Sequence, residues 1–187
     1  LVGRRLGVDA EVSVRREVGG GAWDLARFDV AETLQAAGVV AMTIEDIRWG
    51  RCDIKSVNLL ANVLARQRAK EAGVFEAILV REGTVTEGSV SNVMVVRNGA
   101  VQTAPEGRRI LSGVTRAIVL DLARKEGIPV AESFVTREEL LAASEVFLTG
   151  TTVEVLPVVR VDGHMIGGGS PGPVSQLLSR RFEALVG

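Results

Sequence analysis

The sequence has few of the side chains that most often build catalytic or structural sites. Its 187 residues include no tyrosine, one histidine and one cysteine, and aromatic residues make up 4% of the chain. The single cysteine, Cys52, excludes an intrachain disulfide framework and is typical of a reducing, cytoplasmic setting. We interpret Cys52 as a small buried hydrophobic residue; a reactive thiol is the alternative. His164 follows Asp162-Gly163 and is interpreted as a solvated turn residue, and no metal site is expected.

The sequence also lacks a large excess of charge of either sign and any long apolar run. The formal net charge is −1, so no strong field would recruit nucleic acid or an anionic membrane. No apolar run reaches the roughly 18–20 residues that a membrane span needs. The length suits one domain with a sizeable core or two small ones. Because the chain begins at Leu1 rather than methionine, we expect a fragment or a processed chain.

The pattern along the chain predicts a mixed α/β fold. Apolar runs predict strands at 39–44, 76–81, 85–87, 92–97, 100–103, 145–149 and 158–161, with a weak edge strand at 8–14. Helical spacing predicts helices at 58–72, 114–126 and 174–185, and Thr136 to Glu139 reads as a capping box that opens a short helix through Ala143. The glycines at 19–21 predict a turn or linker.

Two local features sharpen this prediction. Asn98-Gly99 between apolar runs is a strong hairpin signal, because a type I′ turn needs positive φ at both central residues. In the helix predicted at 58–72, one side carries apolar residues and the other basic ones, which is the spacing of an amphipathic helix. The apolar side comprises Leu59, Leu60, Val63 and Leu64.

The stretch from Asp53 to Leu60 contains the most suggestive residue, Lys55. This lysine stands among apolar residues just before a predicted helix. Burial disfavours the charged ammonium and lowers the pKa of a lysine, which is the condition for nucleophilic attack on a carbonyl carbon. The ordinary alternative is a solvated surface lysine.

Three other stretches are rich in glycine and polar side chains. Residues 86–92 place Glu87, Ser91 and Asn92 in a turn between strands, residues 111–116 run into a helix, and residues 149–152 end a strand with hydroxyls. A helix N-terminus that follows Gly113 is a natural phosphate site. Each stretch also has an ordinary reading as a helix cap, a hairpin or a turn. Taken together with Lys55, they supply the amine, the carboxylate and the anion site that a pyridoxal phosphate enzyme needs.

These motifs resemble those of the fold-type IV pyridoxal-phosphate enzymes, the class IV aminotransferases. Asp53-Ile54-Lys55-Ser56-x-Asn58 is most similar to the D-amino-acid aminotransferase branch. The resemblance implies a mixed α+β large C-terminal domain at 39–187, with short strands in a barrel-like arrangement and surrounding helices. It also implies that 1–38 is a remnant of an N-terminal domain and linker, and that the protein is a homodimer.

The resemblance implies roles for nine residues and one cofactor, pyridoxal 5′-phosphate. Lys55 would carry the cofactor as a Schiff base and move the substrate proton. Glu87 would pair with the pyridine nitrogen, and Leu111 would pack on the ring. The remaining residues would bind the phosphate or line the cofactor: Ser91, Asn92, Gly113, Val114, Thr115 and Thr151.

The substrates implied are an amino acid, D-alanine-like or branched-chain, and a 2-oxo acid. The Arg-x-His pair and the tyrosine that help D-amino-acid aminotransferases bind the substrate carboxylate have no match here. Two alternatives therefore stay open: a β-elimination lyase of the aminodeoxychorismate type on the same cofactor site, and a non-catalytic fragment. We also expect exposed apolar surface where a small domain would dock.

Overall fold

The structure, a computed structural model, describes residues 33–186. A helical turn at 33–37 is followed by ten strands and four helices in the described part of the chain. The strands are β1 (Val39–Glu45), β2 (Glu76–Arg81), β3 (Thr84–Gly88), β4 (Asn92–Arg97), β5 (Ala100–Thr103), β6 (Val130–Glu132), β7 (Val135–Thr136), β8 (Glu145–Gly150), β9 (Glu154–Val161) and β10 (His164–Met165). The helices are α1 (Leu60–Glu71), α2 (Val114–Lys125), α3 (Arg137–Leu141) and α4 (Pro173–Val186).

All ten strands belong to one sheet, and its connections force it to curl. The order is β6-β5-β4-β8-β9-β1-β2-β3-β7, with β10 paired to β9. In a flat sheet β3 and β4 would lie about 24 Å apart, since strands are spaced by about 4.8 Å. The three residues 89–91 join them, and a link of that length spans at most about 14 Å. The sheet therefore bends until the ends of β3 and β4 meet.

The two end strands of this sheet are also close together. β6 pairs with β5 at one end and β7 pairs with β3 at the other, yet only Ser133 and Phe134 separate β6 from β7 in sequence. The mixed α+β fold with a barrel-like arrangement of short strands, expected from the resemblance, is confirmed.

The two faces of the sheet bury different apolar clusters. Alternation along β4 and β8 sends Val95 and Leu148 to one cluster, and Met94 and Phe147 to the other. The second cluster is completed by α2 and α4, which place Val119, Leu120, Leu178 and Phe182 over the sheet. Helix α2 is thereby held on the same side of the sheet as Met94 and Phe147.

Most predicted elements lie where the sequence placed them. Asn98 and Gly99 both have positive φ, 50° and 74°, as a type I′ turn requires. Thr136 and Glu139 form the reciprocal capping box at the start of α3. The strand predicted at 158–161 begins four residues earlier, at Glu154, and runs through Pro157. Strands β6, β7 and β10 were not predicted, and His164 lies in β10, exposed, rather than in a turn.

The helix after Lys55 does not bury the side that carries its larger apolar residues. Ala65 and Ala69 are the buried residues of α1, and they pack with Ala77 and Leu79 of β2. Leu59, Leu60, Val63 and Leu64 are exposed instead. Small side chains let the helix axis approach the sheet closely, and no described element covers the leucine side.

Some expectations lie outside the described residues, namely the edge strand at 8–14 and the glycine turn at 19–21. The division at residues 38 and 39 stays a prediction. Across residues 33–186, none of the helices combines the length and the apolar character required of a membrane span.

Candidate cofactor site

One cavity of about 960 Å³ brings together all nine residues that the sequence singled out. It lies where β3 and β4 meet, with the start of α2 on one side and α1 on another. Lys55, Glu87, Ser91, Asn92, Leu111, Gly113, Val114, Thr115 and Thr151 all line it. Its volume is of the size that holds a small organic ligand.

Glu87 is buried at the end of β3 and is held by groups on three sides. Its Oε2 accepts hydrogen bonds from Asn92 Nδ2 and from the Leu111 amide, both at 3.0 Å. Its Oε1 accepts from Arg48 Nη1. Burial raises the pKa of Glu87, and the nearby Arg48 offsets part of that rise. The carboxylate is thus fixed in one orientation on the cavity wall.

Arg48 is the most strongly bound of the site residues that the sequence did not predict. It forms a bidentate pair with Asp46, through Nε at 2.9 Å and Nη2 at 2.8 Å, and its Nη2 also donates to the Arg109 carbonyl at 3.0 Å. Burial alone would raise the pKa of Asp46, but hydrogen bonds and charge from Arg48 outweigh it and hold that pKa at about 2. The available signal was an Asp-x-Arg pair just after a buried strand, at a carboxyl end where ligand sites of parallel sheets lie.

A second buried carboxylate supports the loop between β3 and β4. Glu76 accepts hydrogen bonds from Ser91 Oγ at 2.8 Å and from the Ser89 amide at 3.2 Å. A Cβ on Gly88 would lie 2.2 Å from Ser91 Oγ, so the loop closes tightly only with glycine there. The Ser91 hydroxyl is therefore engaged by Glu76, and Ser91 also lines the cavity.

The N-terminus of α2 opens on the same cavity. Its N-cap is Gly113, which provides no side-chain cap, so the first amides of the helix have no partner inside it. A Cβ on Gly113 would lie 2.2 Å from Asn92 Oδ1, which shows how closely the helix start rests on β4. Free amides at a helix N-terminus favour an anion. Val114 and Thr115 contribute to this end of the cavity, and Leu111 lines it beside them.

The loop that bears Lys55 forms a different kind of wall. Lys55 lines the cavity and is exposed, so the burial that its apolar neighbours suggested is not found. The apolar neighbours that suggested burial are exposed themselves, with Ile54 at 44% and Val57 at 98%. They therefore give Lys55 no low-dielectric surroundings. Cys52 is buried as predicted, and burial raises the pKa of its thiol.

Helix α1 closes the cavity next to this loop. Asn62 Nδ2 donates to the Ser89 carbonyl at 2.8 Å, and Arg66 donates to the Phe75 carbonyl. These two contacts tie the helix to the loop between β3 and β4 and to the start of β2. Neither Asn62 nor Arg66 was predicted to line the site.

Comparison with known proteins identifies the family. A sequence profile described as "Amino-transferase class IV" matches residues 25–161, which is most of the chain. The chain belongs to the class IV aminotransferases. Among curated members, it is 52% identical to a D-alanine aminotransferase of Bacillus licheniformis over 145 residues, covering 78% of this chain and 51% of that protein. A D-alanine aminotransferase of Staphylococcus haemolyticus is 46% identical over 149 residues, covering 80% and 53%.

Solved branched-chain aminotransferases share the fold. A branched-chain aminotransferase of Thermoproteus uzoniensis, with norvaline, superposes with a TM-score of 0.74 at 34% identity and covers 82% of this chain and 52% of its own. The branched-chain enzyme of Thermobaculum terrenum in its PLP form superposes with a TM-score of 0.73 at 32% sequence identity. The match covers 80% of this chain and 51% of that one. The chain spans about half the length of the curated relatives it matches.

The described residues fit the cofactor of this family. A phosphate needs amide and hydroxyl donors, which the uncapped start of α2 and Thr115 provide. A protonated pyridine nitrogen needs a fixed carboxylate, which Glu87 provides. One buried hydroxyl in the cavity wall, Thr149 Oγ1, has no hydrogen-bond partner among the described residues. A polar ligand in the cavity would supply one.

Proposed function

We propose that this class IV aminotransferase chain binds pyridoxal 5′-phosphate in the cavity and serves amino transfer between an amino acid and a 2-oxo acid. The observation that carries the proposal is the shared cavity. An amine (Lys55), a fixed carboxylate (Glu87) and an uncapped helix N-terminus (Gly113) open on the same space. When bound, the cofactor supplies an electron sink that lets the proton on the substrate Cα leave.

Glu87 keeps a proton on the ring nitrogen in this proposal. Its raised pKa makes it a stronger acceptor for that N–H than an ordinary carboxylate. Asn92, the Leu111 amide and Arg48 fix its orientation, so the carboxylate does not turn away when the ring arrives. The amides of Val114 and Thr115, with the hydroxyls of Thr115 and Thr151, would hold the phosphate.

Lys55 would hold the cofactor through its amine and would carry the proton taken from the substrate Cα. Its exposed position in the cavity wall leaves the amine free to reach both atoms. Leu111 would pack on the face of the ring, and Ser91 and Asn92 would line the cofactor side. The identities to D-alanine aminotransferases make D-alanine the first amino acid to test, and a branched-chain amino acid the second.

The test is the dependence of pyruvate formation on a 2-oxo acid. The purified chain, loaded with pyridoxal phosphate, is given D-alanine first without and then with a 2-oxo acid. Amino transfer predicts at most one equivalent of pyruvate per site without the acceptor and continued formation with it, and none in Lys55→Ala. Pyruvate that keeps forming from D-alanine without an acceptor contradicts amino transfer. Elimination needs a leaving group on Cβ, which D-alanine lacks, so that alternative is tested with D-serine. Continued release of pyruvate from D-serine without a 2-oxo acid would favour elimination.

A further inference from the structure

Thr149, near the end of β8, has a feature that the roles above do not use. Its side chain is fully buried, at 0% exposure, and its Oγ1 has no hydrogen-bond partner among the described residues. It also lines the cavity. A buried hydroxyl without a partner destabilises a fold, because its hydrogen bonds to water are lost and not replaced.

The register of the sheet shows which way this hydroxyl points. Thr149 lies directly opposite Asn92 in the antiparallel pair of β8 and β4, so the two side chains share one face. Phe147, two residues earlier on β8, lies on that face and packs in the cluster formed with α2. Thr149 therefore faces the side of the sheet on which α2 lies.

The start of α2 rests on Asn92, the cross-strand neighbour of Thr149. Asn92 Oδ1 lies 2.2 Å from the place of a Cβ on Gly113, the N-cap of α2. The neighbouring amides of Val114, Thr115 and Arg116 have no acceptor within the helix. An unpaired hydroxyl and a set of unpaired amides thus open on the same end of the cavity.

We propose that Thr149 Oγ1 donates a hydrogen bond to the anion bound at the N-terminus of α2, the phosphate of the cofactor. The inference deepens the proposed function and rests on it. The amides and the hydroxyl approach the anion from the helix and from the sheet, so the phosphate is held between two rigid elements. Thr149 is then a binding residue in addition to Thr115 and Thr151.

A second buried threonine provides a matched control. Thr103 is as buried as Thr149, but its Oγ1 donates to the Val93 carbonyl at 2.7 Å, and it does not line the cavity. Replacing either threonine by valine removes one hydroxyl and keeps the shape of the side chain. In Thr103→Val a satisfied hydrogen bond is lost, whereas in Thr149→Val an unsatisfied group is removed.

The experiment compares dissociation constants for pyridoxal 5′-phosphate and for pyridoxal, which lacks the phosphate, followed by absorbance in the purified chain. Thr149→Val should weaken phosphate-ester binding about tenfold and change pyridoxal binding less than twofold, since one hydrogen bond to a charged acceptor is removed. Thr149→Ser, which keeps the hydroxyl, should bind both compounds within about threefold of the unmodified chain. Thr103→Val should leave the ratio of the two constants unchanged.

Thermal unfolding of the cofactor-free chains is the second readout. Thr149→Val should unfold at the same or a higher temperature than the unmodified chain, and Thr103→Val at a lower one. The inference is overturned if Thr149→Val keeps the original ratio of constants, or if its cofactor-free form unfolds at a lower temperature. Failure of the unmodified chain to bind the phosphate ester would instead reject the proposed function, and this inference with it.

Discussion

Two walls of the cavity are built in opposite ways. On the sheet wall, Arg48, Glu87 and Asn92 are joined by hydrogen bonds, and the side chains of Arg48 and Glu87 are only 5% and 8% exposed. On the other wall, the loop at 53–59 exposes Lys55 and its apolar neighbours. Within residues 33–186 no hydrogen bond or ion pair holds the Lys55 amine.

This difference matches what each wall has to do in the proposed function. A carboxylate that must hold one proton on a ring nitrogen works best when it is fixed beforehand, because no reorganisation is then needed. An amine that must bond to one atom and later reach another needs freedom to move. Changes in the sheet wall should therefore cost folding stability, and changes in the Lys55 wall should affect binding alone.

The largest effect is expected for Arg48→Met. It leaves Glu87 buried without its cation and leaves Asp46 paired with Arg81 alone, and breaking a buried pair in this way costs about 3–5 kcal/mol. Urea unfolding measures the change in the free energy of unfolding. Arg51→Met is the control, because its pair with Asp53 is solvent-exposed and its loss should leave the unfolding midpoint unchanged. Similar midpoints for the two variants would remove the contrast between the walls.

Asp46 should make the free energy of unfolding depend on pH, with a change of about 2 kcal/mol. Its pKa falls from 3.8 to about 2 on folding, so its contribution is complete above pH 3.8 and is lost as the pH falls through 2. The free-energy difference between the unmodified chain and Asp46→Asn should shrink by this amount between pH 5 and pH 2. Glu87 acts in the opposite sense, because its raised pKa favours the folded state on protonation.

The check is urea unfolding of both chains at several values of pH. Asp53 lies in an exposed pair with Arg51. Asp53→Asn should therefore change the loss of unfolding free energy between pH 5 and pH 2 less than Asp46→Asn does. A constant difference between the unmodified chain and Asp46→Asn across this range would show that the carboxylate is not held by Arg48 as described.

A smaller effect is expected where α1 meets the sheet. Ala69 is fully buried against β2, so Ala69→Leu should overpack the contact and destabilise the fold by about 1–3 kcal/mol. Leu60→Ala, on the exposed side at 68% exposure, should stay within about 0.5 kcal/mol. Thermal and urea unfolding compare the two variants. A larger loss of unfolding free energy for Leu60→Ala than for Ala69→Leu would show that the leucine side of α1 is the packed face.

The strands and turns followed from sequence because local chemistry decides them. Asn98-Gly99 can adopt positive φ at both positions, and the Thr136 to Glu139 box satisfies its own amides, whatever the rest of the chain does. Strands β6, β7 and β10 have two or three residues each, and such short runs exist only through their partners. The face of α1 depended on close approach to β2, which favours alanine over leucine.

The site residues on recognisable motifs could be singled out from sequence, and the structure brings all nine to one cavity. Arg48 was missed because an arginine two residues from an aspartate reads as an exposed ion pair until its burial is known. Thr149 was passed over in favour of Thr151, since only the pairing of β8 with β4 shows that its hydroxyl faces α2 without a partner. The exposure of Lys55 depends on which elements cover its loop, and spacing alone does not carry that information.

The most direct test of the account is to find which residue binds the cofactor. Pyridoxal 5′-phosphate is added to the purified chain, borohydride reduces the adduct, and peptide mass spectrometry locates it. The account predicts a single adduct on Lys55 that Lys55→Ala abolishes, with Lys125→Ala, at an exposed lysine on α2, as the control that keeps it. Labelling scattered over surface lysines, or a full adduct in Lys55→Ala, would contradict it.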